Sequence, residues 1–161
     1  MNDFTEIGQR PIRHDGSDKV TGKAQFGADI SLPGTIHGDI LRSPYAHAYI
    51  KIIDTSKAAA LDGVMAVVTA ADFPQLPPRG PGDIARDNLA DTKVLYHGHG
   101  VAAVAATTAD IAQAALDLIE VEYEPLTPVL SIEDAVTGDV LLHDDLEDNG
   151  KVSNIYERVV N

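Results

Sequence analysis

From Thr35 to Arg42, and again from His47 to Ile53, apolar and polar side chains alternate, with Ile36, Ile40, Ile50 and Ile52 supplying β-branched bulk. A period of two sends successive side chains to opposite faces, so two strands are expected on either side of the Ser43-Pro44 bend. Upstream, Leu32-Pro33-Gly34 reads as a turn. Asp54-Thr55-Ser56 sets oxygen acceptors ahead of Lys57-Ala58-Ala59-Ala60-Leu61, and Gly63 can take the left-handed conformation that closes a short helix. The valines of Val64 to Thr69 then suit a buried strand. Further strands are expected at Val94 to Tyr96, Val101 to Ala106 and Ile119 to Tyr123. Between the last two, Ile111, Ala114, Ala115 and Leu118 fall at helical spacing behind a Thr107 to Asp110 capping box. Ser131 and Asp134 repeat the cap before a short turn over Ile132 to Val136.

Strands interleaved with two or three short helices, and at least one hairpin, predict an α+β fold on a mixed sheet rather than a doubly wound parallel one. Residues 1–27 form a polar arm punctuated by Gly8, Pro11, Gly16 and Gly22, with no persistent period. The main domain is expected over 28–140 and an acidic linker over 141–161. Between Pro74 and Asp91, four prolines and two glycines predict a long irregular surface loop.

With 161 residues, 44% of them apolar, the chain is long enough for a single core. A domain of that size buries roughly 70% of the surface its unfolded chain exposes. Aromatic residues make up only 5% while Ala and Val abound, so thin, tight packing is expected in place of a roomy cavity. The absence of cysteine excludes disulfides, thiolate nucleophiles and cysteine-held zinc or iron–sulfur clusters on this chain. No apolar run resembles a signal peptide or a membrane span, and a soluble cytoplasmic protein is expected. The formal net charge is −13, and residues 94–150 hold twelve acids with no Lys or Arg. Such a surface repels phosphate, so nucleic acid and anionic membranes are poor partners; a solvated face is the simplest role for the acids.

Several patterns carry candidate chemistry. Gly98-His99-Gly100-Val101-Ala102-Ala103 fits G-x-G-x-x-A, with Glu120 and Glu122 about twenty residues on, as in a dinucleotide fold. There the glycines open a helix at once, whereas here the Thr107 cap delays helix onset and Val101 to Ala106 reads as a strand. His97 and His99, spaced i, i+2, would share one side of a strand, but nothing supplies the third ligand of a metal site. Ser43, His47 and Asp54 include the residue types of a hydrolytic triad without the elbow that exposes a nucleophile. His47 is better read as a hydrogen-bonding residue that fixes its turn, and Arg42 as half of a structural bridge to a carboxylate. Asp144, Asp145, Glu147 and Asp148 lack the order of a calcium loop.

A family resemblance runs through the chain from about Gly8 to Ile155. Its first words are Lys19-Val20-Thr21-Gly22-Lys23-Ala24, Asp29-Ile30-Ser31-Leu32-Pro33-Gly34, Leu41-Arg42-Ser43-Pro44-Tyr45-Ala46-His47-Ala48, Ile53-Asp54-Thr55-Ser56 and Pro74. Leu61-Asp62-Gly63-Val64, Val94 to Ala106 and Ile119-Glu120-Val121-Glu122-Tyr123-Glu124-Pro125-Leu126 follow in order. Together these resemble the amino-terminal α/β hammerhead domain of the molybdenum hydroxylase large subunit, in the xanthine dehydrogenase and aldehyde oxidase family. One departure is His99-Gly100, where that family generally has Gln or Glu followed by Pro.

The resemblance implies a parent oxidoreductase that hydroxylates an electron-poor carbon with oxygen from water at a molybdenum centre bound to a pterin. Electrons then pass through iron–sulfur clusters to flavin (FAD) or another acceptor on other domains or subunits. It also implies that the pterin-binding loops and the catalytic carboxylate lie downstream of this segment. No catalytic, cofactor-binding or metal-binding residue is therefore assigned here, and an inactive fragment with a scaffolding and interface role is expected. Its implied partners are the remainder of the large subunit and the iron–sulfur and flavin subunits or domains, with room for a homo-oligomer. A free-standing interaction module of the same fold is the alternative, ahead of a nucleotide-binding domain built on Gly98-His99-Gly100.

Overall fold

The computed structural model describes Gly8 and residues 10–74, 88–144, 147–148 and 151–152. The chain divides into two compact units, Met1–Thr35 and Ile36–Asn161. In the first, a one-turn helix α1 (Gly16–Val20) interrupts the arm in which no period was expected. Local charge explains it: Asp15 lies against both Arg13 and Lys19, and these two cations hold its carboxyl below the usual range. Thr21 adds a hydroxyl bond back to the Ser17 carbonyl (2.7 Å).

The second unit holds two three-stranded sheets. One has the order β1 (His37–Arg42), β5 (Gly100–Ala106), β3 (Val64–Thr69), and the other β4 (Lys93–Val94), β2 (Ala48–Asp54), β6 (Glu120–Pro125). Every described pairing is antiparallel, so the α+β class holds while its strands form two antiparallel sheets rather than a single mixed one. β1 and β2 flank the Ser43-Pro44 bend as expected, yet they do not pair; the bend carries the chain from one sheet to the other. The described hairpin is β7 (Glu147–Asp148) with β8 (Lys151–Val152).

Among the described residues, three α-helices accompany the sheets: α2 (Ser56–Ala59), α3 (Ala109–Asp117) and α4 (Ile132–Thr137). Ahead of α2, Asp54 Oδ1 accepts from the Ser56 amide at 2.9 Å, and Gly63 adopts φ +88° after it. α3 is capped by Thr108, not Thr107: the Thr108 hydroxyl accepts from the Ile111 amide at 3.2 Å. Thr107 is held elsewhere, its amide donating to the Gly63 carbonyl at 2.9 Å, which shifts helix onset by one residue. α4 begins at the expected Ser131 cap, and Gly138 ends it in the left-handed region.

The core is made of small side chains, as the composition suggested. Ala102, Val104 and Ala106 of β5 meet Ala112, Ala115 and Leu116 of α3 and Ala58 of α2, all buried. A second cluster joins Ala48, Ala90, Val94 and Val101, and Ile53 and Val121 pack against both. Shared residues of this kind fuse the two sheets into one body. The run Val64 to Thr69 is an edge strand, half-buried or exposed along its length, rather than the buried strand its valines suggested. Most of the loop expected over 74–91 lies outside the described residues, as do residues 153–161 of the expected linker.

Candidate functional site

The polar groups the sequence singled out collect around the Ser43-Pro44 bend and the turn before β5. Ser43 is 2% exposed, and its amide donates to the His99 carbonyl (2.9 Å) while its carbonyl accepts from the Gly98 amide (3.0 Å). The Ser43 hydroxyl accepts from the Tyr45 amide at 3.0 Å, so it closes its own bend in place of facing a substrate. Arg42 reaches the same turn, donating Nη1 to the Gly98 carbonyl at 2.9 Å; among the described residues this backbone oxygen takes the place of the carboxylate expected for it. Bend and turn are thereby stitched together from both sides.

His97 and His99 do not share a face. Tyr96 to Gly98 form a turn in which Gly98 takes φ +85°, so the alternation of a strand does not apply. His97 is exposed, whereas His99 is 1% exposed and stacks on Tyr96 with ring centroids 4.4 Å apart. Its Nδ1 accepts from the Leu95 amide (3.2 Å), which places the proton of a neutral ring on Nε2. Gly100 follows in a crowded place: a Cβ there would lie 3.1 Å from Ile40 Cγ2 and 3.3 Å from the Asn88 carbonyl. The glycines thus enter a strand and not a helix, the reverse of what a pyrophosphate site needs. Glu120, at the start of β6 in the other sheet, meanwhile pairs with Lys57 of α2.

His47 is 3% exposed and reaches the Thr127 carbonyl through Nδ1 at 2.7 Å. A carbonyl only accepts, so Nδ1 carries the proton and a neutral ring presents Nε2 as a bare lone pair. That Nε2 is buried, and it has no hydrogen-bond partner among the described residues. The histidine does fix structure, but through a residue eighty positions away instead of through its own bend. Asp54 is spent on the α2 cap, where the Ser56 hydroxyl and amide hold its carboxyl below the usual range, so Ser43, His47 and Asp54 form no triad.

Beside His47 lies an open depression of about 250 Å³, lined also by Tyr49, Lys93, Thr127, Asp139 and Asp144. Its cation, Lys93, is a residue no sequence pattern flagged. Only 8% of its side chain is exposed, and Nζ donates to Asp144 (2.8 Å) and to the Leu141 carbonyl (3.2 Å). The start of the acidic segment is therefore clasped to β4. Tyr123 stands behind the bend with its ring 5.2 Å from that of Tyr45; burial raises its phenol above the ordinary value, against the Ser43 hydrogen bond. Among the described residues, no three His, Asp or Glu side chains gather as metal ligands would.

The family profile described as "Aldehyde oxidase and xanthine dehydrogenase, a/b hammerhead domain" matches residues 21–127. The chain belongs to this family. It is 44% identical over 135 residues to a probable xanthine dehydrogenase subunit from Bacillus subtilis (strain 168), covering 83% of this chain and 18% of that protein. It is 46% identical over 132 residues to the carbon monoxide dehydrogenase large chain of Afipia carboxidovorans, covering 79% of this chain and 16% of the relative. Among solved structures, quinoline 2-oxidoreductase from Pseudomonas putida 86 superposes with a TM-score of 0.78 at 37% identity, over 89% of this chain and 19% of that one. The hammerhead chain thus spans less than a fifth of each of these relatives. Among its described residues, no helix is long and apolar enough to cross a membrane.

Proposed function

We propose that this chain is the hammerhead part of the large subunit of a molybdenum-dependent hydroxylase or dehydrogenase, and that its work is scaffolding and interface. The observation carrying this reading is the use made of its buried polar side chains. Ser43 Oγ, His47 Nδ1 and His99 Nδ1 are each committed to a backbone group of the same unit. A nucleophile or general base needs a lone pair within reach of substrate; the Ser43 and His99 atoms are spent on holding loops, and the bare lone pair of His47 Nε2 is buried.

Residues 1–27 serve on this reading as a polar arm, 28–140 as the hammerhead and 141–161 as an acidic linker toward a molybdopterin-binding domain. Molybdopterin, iron–sulfur clusters and FAD belong to other parts of the enzyme. The residues here do not fit an iron–sulfur cluster or a metal ion: the chain has no cysteine, and its described His, Asp and Glu side chains form no cluster. No reaction step is therefore assigned to them, and the fragment alone is inactive. Its partners are the rest of the large subunit and the iron–sulfur and flavin subunits, in the cytoplasm.

Reading the gene beyond Asn161 tests the proposal. An in-frame continuation with pterin-binding segments is expected; a stop codon there would instead favour a free-standing interaction module.

A further inference from the structure

The two sheets treat their outward faces in opposite ways. On the β2-β6 side the outward rungs are Tyr49 with Glu124, Ile52 with Glu122 and Asp54 with Glu120. Lys51 pairs there with Glu124 and Lys57 with Glu120. That face is built for water. On the other sheet, β5 turns Ala102, Val104 and Ala106 inward to α3. Its outward rungs are Gly38-Ala105-Ala66 and Ile40-Ala103-Val68 across β1, β5 and β3. Neither rung contains a polar side chain. Yet Ile40 is 40% exposed, Gly38 and Ala66 are exposed, and Val68, Ala103 and Ala105 are half-covered.

A sheet face that met only water would carry alternating polar residues, as the first sheet does. Small and β-branched side chains without charge are what a closely packed apolar neighbour requires. A second copy of this chain is a poor neighbour, because each carries a formal charge of −13 and the two would repel. A large apolar neighbour is available in the relatives, in which the matched segment is 18% or 16% of the polypeptide.

We infer that the outward face of the β1-β5-β3 sheet is the seat on which an apolar segment from the rest of the large subunit packs. The inference rests on the large-subunit reading above and adds the surface to it.

Because the chain has no cysteine, single thiols report the face directly. Ala66→Cys and Ala103→Cys lie on it, and Glu122→Cys on the charged face is the control. Each is treated with a maleimide in the chain alone and in the full large subunit, after its urea midpoint is matched to the unaltered protein; Val68→Cys replaces any variant that fails. In the chain alone all three are expected to label. In the large subunit the first two should slow at least tenfold while Glu122→Cys is unchanged. Equal labelling of Ala66→Cys and Ala103→Cys in both would overturn the inference and leave the family reading intact. Protection already present in the chain alone would overturn it too, by showing that its own residues or a second copy cover the face. A reading frame ending at Asn161 would remove the occupant and the large-subunit reading together.

Discussion

The β4-β2-β6 sheet and the β1-β5-β3 sheet share a core but differ in what lies on their far sides. In the first, Ile50, Ile53, Val121 and Tyr123 face inward while Glu120, Glu122 and Glu124 face out, so one face is dry and one wet. In the second, Gly38, Ile40, Ala66, Val68, Ala103 and Ala105 form two outward rungs without a polar side chain, while the inward rungs set His37 and Asp39 of β1 beside Ala106 and Val104. A sheet with one polar face is finished once its other face is covered. A sheet whose outward rungs lack polar groups leaves that face open to a neighbour, which is what the proposed seat rests on.

Mutations can break this comparison at several depths. The largest effect is expected at the layer beneath the apolar sheet. Leu116 of α3 is 6% exposed, so Leu116→Ala should cost about 2–5 kcal/mol in urea unfolding. The same truncation at Ile52, 57% exposed on the wet face, should cost less than about 0.5 kcal/mol. Next comes Gly63→Ala. Its φ is +88°, and a Cβ would stand 2.7 Å from Ile111 Cδ1 and 2.9 Å from Thr107 Oγ1, so a loss of about 1–3 kcal/mol is expected. Thr108→Ala removes the α3 cap and should cost about 1 kcal/mol, while Thr107→Ala should cost less.

Tyr123 sharpens the contrast through pH. Burial raises its phenol in the folded state, so the folded protein binds that proton more tightly than the unfolded chain does. The resulting stability is complete below about pH 10, the ordinary phenol value, and is lost as pH rises through the higher folded value. Tyr123→Phe should flatten that alkaline decline in a series of urea melts. The smallest effect is expected on the wet face: removing Lys57 and Glu120 together should barely move the midpoint, and the difference should fade in high salt.

Much of the architecture was legible from period alone. β1, β2, β5, β6 and α3 stand where alternation or helical spacing put them, because each has a face that must be dry. The family words around Ser43 and Ile119 to Leu126 located the fold as well. What escaped detection depended on distant partners. Thr107 and Thr108 have the same chemistry, and the bond from Thr107 to Gly63 decides between them. Val64 to Thr69 imitated a central strand because its outward residues are apolar too. His97 and His99 were separated by the conformation of Gly98, which spacing does not reveal. Lys93 showed no local signal, since Asp144 lies fifty-one residues away.

That this polypeptide supports a reaction centre it does not contain is tested most directly on the chain purified by itself from cells able to make the molybdenum cofactor. Molybdenum is then measured by mass spectrometry and pterin by fluorescence after oxidation. Neither should exceed background in a chain that unfolds cooperatively. One molybdenum or one pterin per folded chain would contradict the claim.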